Sequence, residues 1–304
     1  MENVVDRPRT TYIGGSDAAA VLGRSRWGTP VSVWAEKTGQ TVKNENDNKE
    51  EKDWGKRHEP TIIAWFEEKT GKKVVQQQQQ FFHPEHPFLG ARVDGLIQGE
   101  DAGFEAKTAA SWKSREWEGE EIPEEYILQA YHSMMVTGLR KWYIAVLIGG
   151  NRGHIKELLW DDRIIREIRD REVEFWELFV VPEVMPTLIT KRDSDVLAEL
   201  FPMAIDGKTI PLGDDANILI ENLTAMKQDL KNLEEQIELA ENKLKAALQD
   251  AEAGETTLYR VQWANVTVRR LDTKALEAAH PALAAQFKPE KIQRRFSYKA
   301  LKGA

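Results

Sequence analysis

The stretch "GARVDGLIQGEDAGFEAKTAAS", residues 90–111, constrains this chain more than any other. One apolar segment ends at Asp94. A turn-rich piece runs from Gln98 to Gly103, and a second segment then carries Glu105 and Lys107. Two short apolar segments around a glycine-containing turn predict a β-hairpin. Strand side chains two apart point to the same side, so Glu105 and Lys107 share a face. The hairpin brings Asp94 alongside them. The bland reading is a solvated edge hairpin. The chemical reading is a metal site that cuts phosphodiesters.

The chemical reading has a mechanism. Asp94 and Glu105 can share a Mg²⁺, a hard cation that takes oxygen ligands, and the backbone carbonyl of Ala106 can add another. Lys107 can orient the attacking water and offset charge on the phosphate. The metal lowers the water's pKa and stabilises the leaving oxygen. The spacing alone is weak evidence, because Asp, ten residues, then Glu-x-Lys recurs by chance in acidic chains.

Composition narrows the class. The chain has 304 residues, enough for one large domain with an appendage or for two small ones. Its 41% hydrophobic content can fill a core. No apolar run approaches the ~18 residues of a membrane span. The start, "MENVVDRPRT", lacks the pattern of a signal peptide, so a cytoplasmic protein is expected. The absence of cysteine excludes disulfides, thiolate zinc sites, cysteine nucleophiles and iron–sulfur clusters. A net charge of −8 argues against a coat or packaging protein, but one basic face can coexist with an acidic exterior.

Helix and strand signals alternate up to about residue 190. Ser16 is expected to cap a short helix ending at Gly23, and Thr29 to cap the next, with Pro30 at its first position. Residues 40–50 read as a solvated loop. A long helix is expected over 51–70, kinked or broken at Pro60. Residues 73–82, with five glutamines, read as one strand. Helix resumes over 123–137 and ends at Gly138, "WYIAVLIGG" reads as a central strand and "HIKELLW" as its half-buried partner. An amphipathic helix follows and ends before Pro182.

Beyond about residue 190 the character changes. Residues 201–215 read as a linker. Residues 216–253 carry a heptad pattern through Leu223, Met226, Leu230, Leu233, Ile237, Ala240, Leu244, Ala247 and Ala251, which predicts a long helix with one narrow seam, stopped by Gly254. "LYRVQWANVTVRR" reads as a hairpin turning at Ala264 and Asn265. A short helix from Thr273 and a basic tail, "KPEKIQRRFSYKALK", complete residues 254–304.

Three further stretches join the hairpin. "WGKRHEPTIIAWFEEKTG" puts Glu59 on a helix before it, as Gly-x-x-x-Glu from Gly55. "YILQAYHSMMVTG" puts Gln129 on a helix after it. "RTTYIGGSDAAAVLG" places Arg9 seven residues before Ser16, ahead of everything else. With Asp94, Glu105 and Lys107 as a PD-(D/E)XK signature, the chain resembles the lambda-type exonuclease and YqaJ viral recombinase family over roughly residues 8–180.

The resemblance implies an α+β fold with a restriction-endonuclease-like core over residues 1–200, a mixed central sheet flanked by helices. It implies that Glu59 joins Asp94, Glu105 and the Ala106 carbonyl around two Mg²⁺ ions, with Mn²⁺ able to substitute, and that Gln129 supports the site. Arg9 and Ser16 would recognise a 5′ phosphate. The activity implied is 5′-to-3′ resection of linear duplex DNA, leaving 3′ overhangs for a single-strand annealing partner. The assembly implied is a ring-shaped homotrimer, phage- or prophage-encoded in a bacterial host. One departure stands out: Gly14 occupies a position where the lambda-type enzyme has threonine.

Each residue also has a plainer reading. Arg9 and Ser16 could be a loop charge and a helix cap, and Glu59 and Gln129 ordinary exposed helix residues. Trp27, in "RSRWGTP", could stack on a base or simply pack. His132 reads as a packed residue rather than a ligand, and His58 lacks the second histidine of a zinc protease motif. Two other functions are weighed: a structure-specific or nicking endonuclease on the same core, and a non-catalytic DNA-end-binding scaffold that works through the heptad helix, against which the intact Asp94, Glu105 and Lys107 set argues.

Overall fold

The computed structural model describes residues 6–40, 49–288 and 293–300. Most of the loop expected over 40–50, and parts of the basic tail, lie outside them. The chain divides into two compact units, Met1–Phe201 and Pro202–Ala304.

The first unit opens with two short helices, α1 (Gly15–Val21) and α2 (Pro30–Lys37), followed by the long α3 (Lys49–Thr70). Five strands come next: β1 (Val74–Val75), β2 (Gln79–Phe82), β3 (Gly90–Val93), β4 (Gly95–Ile97) and β5 (Ala102–Ala109). Helix α4 (Glu124–Thr137) leads into β6 (Lys141–Ile148) and β7 (Arg152–Leu159). Helices α5 (Asp162–Phe175) and α6 (Asp193–Leu200) close the unit. The main sheet has the order β1-β4-β5-β6-β7. Strand β5 pairs antiparallel with β4 and parallel with β6, so the sheet is mixed. The expected α+β core of a mixed sheet between helices is present.

Alternation along β6 shows why its sequence is apolar throughout. Trp142, Ile144, Val146 and Ile148 pack with Leu128 and Met134 of α4 and with Ile165 and Ile168 of α5. Tyr143 and Ala145 pack with Ile62, Ile63 and Phe66 of α3. Both faces are covered, so neither needs polar residues. The same alternation sorts β5. Ala102 and Phe104 join the α3 side, which leaves Gly103, Glu105 and Lys107 facing α4. Gly103 lies against the Trp142 ring, where a Cβ would sit 2.1 Å from a ring carbon.

Several expectations are corrected. Of the kink or break expected at Pro60, the break is absent, since helix α3 continues through it. Pro60 and Lys56, whose carbonyl loses its donor, are both exposed, where solvent can replace the bond. The glutamine run is not one strand. Val74 and Val75 pair with β4, Gln79 starts a separate two-stranded sheet with β3, and Gln76 and Gln78 between them take left-handed backbone φ of 52° and 59°. Ser16 is not a cap. Helix α1 starts after Gly14, whose N–H donates to the Asp17 side chain at 3.0 Å.

The second unit carries the long helix α7 (Asp214–Leu248), then β8 (Ala253–Glu255), β9 (Arg260–Gln262), α8 (Thr273–Ala279) and α9 (Pro281–Gln286). The helix stops at Leu248 rather than at Gly254, because Gln249 turns left-handed with φ 54°. The hairpin also lies earlier than expected. It pairs Ala253–Glu255 with Arg260–Gln262, and the Thr256 hydroxyl accepts from the N–H groups of Leu258 and Tyr259 to form the turn. Among the described residues no helix is long and apolar enough to cross a membrane.

Candidate active site

At Asp94 the chain leaves the small β2–β3 sheet and enters the main one through β4. Gly95 permits the crossing, since a Cβ there would lie 2.2 Å from Val74 Cγ1. Asp94 is thereby aimed at the neighbouring strand, where its Oδ2 accepts from the Ala106 N–H at 2.8 Å. Glu105 and Lys107 stand on the same strand, and Lys107 Nζ lies 2.7 Å from Glu105 Oε1. Gln129, on the facing side of α4, clamps both: its Nε2 donates to Glu105 Oε1 at 2.7 Å and its Oε1 accepts from Lys107 Nζ at 2.9 Å.

Glu59 reaches the group from α3 through a residue that sequence reasoning missed. Gln78 Nε2 donates to Glu59 Oε1 at 2.7 Å and to Asp94 Oδ1 at 3.2 Å. Its backbone is left-handed, with φ 59°. A glutamine amid four others carries no distinguishing signal in sequence.

The electrostatics follow from crowding acids in a partly closed place. Burial, followed by the charge of Asp94, pushes the Glu105 carboxyl up to about 7 against the pull of Lys107. Burial raises Asp94, and Lys107 opposes it. Burial and then Asp94 raise Glu59. Burial would lower Lys107, but Glu105 and Asp94 outweigh it and hold the ammonium charged.

Among the described residues no three acidic or histidine side chains are drawn tightly enough to grip an ion as they stand. Each acid is held by a protein donor instead. The donor set still suits a hard divalent cation: oxygen ligands only, and repelling carboxylates whose charge a cation would relieve. Gln78 now offers its N–H groups between two of them.

Arg9 and Ser16 belong to the segment that packs on the helix carrying Gln129. Gly15 backs onto α4, where a Cβ would lie 3.0 Å from Gln129 Cγ and 3.2 Å from Ser133 Oγ. Arg9 Nη2 donates to Ser16 Oγ at 2.6 Å and pairs with Asp17 at 2.9 Å. Behind them lies Lys37, its side chain fully buried, with Nζ 2.8 Å from Asp17 Oδ2 and donating to the Arg9 carbonyl at 2.9 Å. The Arg9 guanidinium lies where a Gly14 Cβ would be, 1.9 Å from Nη1. Glycine in place of threonine therefore makes room for the arginine. Sequence reasoning put the cap at Ser16 and missed Asp17, which the Gly14-x-x-Asp17 spacing could have shown as a capping-box position. The role of Lys37 was not legible, because only the fold buries it there.

Trp27 is 60% exposed. Its ring lies 6.0 Å from that of Tyr126, whose other neighbour is Lys107 Nζ at 5.1 Å from the ring centre. Arg26 and Lys113 also approach the Trp27 ring, at 5.4 and 5.6 Å. Trp27 thus sits one aromatic ring from the acid cluster, and it is not a core residue. His132, by contrast, is fully buried and stands apart from the cluster, between the Glu172 carboxylate and the Gly90 carbonyl.

Residues 6–140 match the YqaJ-like viral recombinase domain. The protein YqaJ of Bacillus subtilis (strain 168) is 37% identical over 294 residues, which span 96% of this chain and 92% of that one. Among solved structures, the alkaline exonuclease LHK-Exo from Laribacter hongkongensis aligns with a TM-score of 0.49 and 22% identity, over 62% of this chain and 96% of its own. A phage-related exonuclease from Haemophilus somnus 129PT aligns with a TM-score of 0.41 and 10% identity, over 57% and 96%. The identity to YqaJ runs through nearly the whole of both chains, and on that ground this chain belongs to the YqaJ-like viral recombinase family.

Proposed function

We propose that the protein is a metal-dependent exodeoxyribonuclease that resects linear duplex DNA from the 5′ end and leaves a 3′ overhang. The observation that carries this reading is the convergence of Asp94, Glu105, Lys107, Gln129 and Glu59, with helix α1, which carries Ser16, packed on α4 at Gln129 through Gly15. Asp94, Glu105, Glu59 and the Ala106 carbonyl would hold Mg²⁺, or Mn²⁺ in its place. The bound metal would supply an activated water and charge stabilisation at the leaving oxygen.

The chain's own residues do the rest. Gln129 fixes the Glu105 carboxylate and the Lys107 ammonium in one arrangement, so neither has to be ordered when DNA arrives. Lys107 stays protonated and faces the scissile phosphate as a fixed positive charge. Arg9 and Ser16 would take a terminal 5′ phosphate, the guanidinium supplying charge-assisted hydrogen bonds and Asp17 with Lys37 holding it in place. Trp27, exposed and beside Tyr126, would stack on a base near the end being cut. The family resemblance extends the proposal to a trimeric ring and to a single-strand annealing protein that receives the overhang.

A plasmid assay tests the activity. With Mg²⁺ the protein should consume linearised plasmid and leave supercoiled and relaxed circles intact, while Asp94→Asn consumes neither. Nicked or linearised circles would make it an endonuclease. Binding to ends without any hydrolysis would make it a scaffold.

A further inference from the structure

The middle of α7 carries an apolar seam that the described residues of its own unit leave exposed. Met226, Leu230, Leu233, Ile237 and Leu244 are 51–60% exposed. Both ends of the helix are partly covered. Tyr298 lies against Thr224 and Lys227 near the start, and Gly254 of β8 meets Leu248 at the finish. Five large apolar side chains in a 3-4 spacing on a water-facing helix is the pattern of a coiled-coil strand that expects a partner.

The flanking charges identify that partner. In an antiparallel pair of this helix centred between Leu233 and Ile237, Leu230 of one copy faces Ala240 of the other, Met226 faces Leu244, and Leu233 faces Ile237. Every layer is apolar, and a large residue meets a small one at Leu230–Ala240. In the same register Lys227 meets Glu241 and Asp229 meets Lys243, each contact occurring twice by symmetry. One like-charge meeting remains, Glu234 with its own copy on the axis. A parallel arrangement puts Asp229 beside Glu234 of its neighbour twice and gains no opposite-charge pair. Contacts the helix already makes do not oppose the antiparallel pair. Glu241 lies 3.0 Å from Lys245 one turn on, and Lys227 Nζ lies 4.6 Å from the Tyr298 ring centre, both at the surface where such contacts are weak.

We propose that α7 is a self-association element, which binds a second copy of this chain as an antiparallel two-stranded coiled coil through the seam from Met226 to Leu244. The self-complementarity of both the apolar layers and the flanking charges favours a second copy over an unrelated protein. The proposal is independent of the nuclease reading. If the first unit also gathers into a trimer, the α7 pair joins one ring to another.

The chain contains no cysteine, so introduced thiols report without background. Full-length Leu230→Cys and Ala240→Cys are co-expressed under different tags, oxidised, and run on a non-reducing gel. In the antiparallel pair Cys at 230 meets Cys at 240 only across the mixed species. Two copies of either variant hold their thiols about 15 Å apart along the axis, at 1.5 Å per residue. The mixed cross-link should exceed either variant's own by at least about ten-fold. Adding Asp229→Lys to both chains should lower the yield severalfold, and adding Lys243→Asp as well should restore it. A strong cross-link from Leu230→Cys alone would mean a parallel bundle and overturn the proposal. No cross-link in any combination would mean that the seam is covered by something other than a second copy, and would overturn it equally.

Discussion

Glu105 is where the cost of the site is concentrated. Its folded value of about 7 lies above the ordinary 4.5, so between those limits the folded protein holds a proton that the unfolded chain has released. The stabilisation from this group is complete below 4.5 and is lost as pH rises through 7, on the order of 3 kcal/mol in all. In metal-free protein, thermal stability should therefore fall across that window, and Mg²⁺ should recover it at pH 8. Glu105→Gln should flatten the pH dependence, respond little to Mg²⁺ and lose hydrolysis. Melting curves at several pH values, with Mg²⁺ or a chelator, provide the check. A Glu105→Gln protein stabilised by Mg²⁺ as strongly as wild type would contradict the assignment. Gly14 gives the second residue-scale prediction. Gly14→Ala should fold normally, because the Arg9 guanidinium that its Cβ would meet can swing aside. It should lose discrimination between 5′-phosphorylated and 5′-hydroxyl ends by roughly ten-fold or more, as Arg9→Ala should. An unchanged preference in either variant would refute the phosphate pocket.

At the scale of elements, His132 ties α4 to α5 and to β3. Its Nδ1 lies 2.9 Å from both Glu172 oxygens and its Nε2 lies 2.9 Å from the Gly90 carbonyl. Nε2 donates to the Gly90 carbonyl, and the Nδ1 contact with Glu172, whose own carboxyl is pushed up by burial, favours positive charge on the ring. Burial opposes that charge, and Glu172 overcomes it. His132→Leu alone should cost about 3–5 kcal/mol because it strands a buried carboxylate. His132→Leu with Glu172→Leu should cost clearly less. Denaturant unfolding of the three proteins measures this, and a double variant as unstable as the single one would show that the pair is not what matters. Elements also show what sequence could reveal. Asp94, Glu105 and Lys107 were legible because strand periodicity alone puts the last two on one face. The Thr29–Pro30 start of α2 and the Gly138 end of α4 were legible because capping is local. Gln78, Lys37 and the β8–β9 register were not, since a left-handed glutamine, a buried lysine and a threonine-built turn are selected by distant packing or competing turn chemistry.

For the whole molecule, the five proposed acid-site residues and Arg9, Ser16 and Trp27 all fall within the first compact unit. A protein ending at Phe201 should stay folded and keep Mg²⁺-dependent hydrolysis of linear duplex, with any loss confined to assembly or partner recruitment. An insoluble or inactive truncation would show that the second unit belongs to the catalytic core. The central claim, polarity set by a 5′-phosphate pocket next to a metal-dependent acid cluster, is tested most directly on one linear duplex. The duplex carries its label at the 5′ or the 3′ terminus of the same strand. The 5′ label should be released as mononucleotide from the first turnover, only with Mg²⁺ or Mn²⁺ present, while the 3′ label remains on a long single strand. Early release of the 3′ label, or release of either label by Asp94→Asn within a few-fold of wild type, would contradict it.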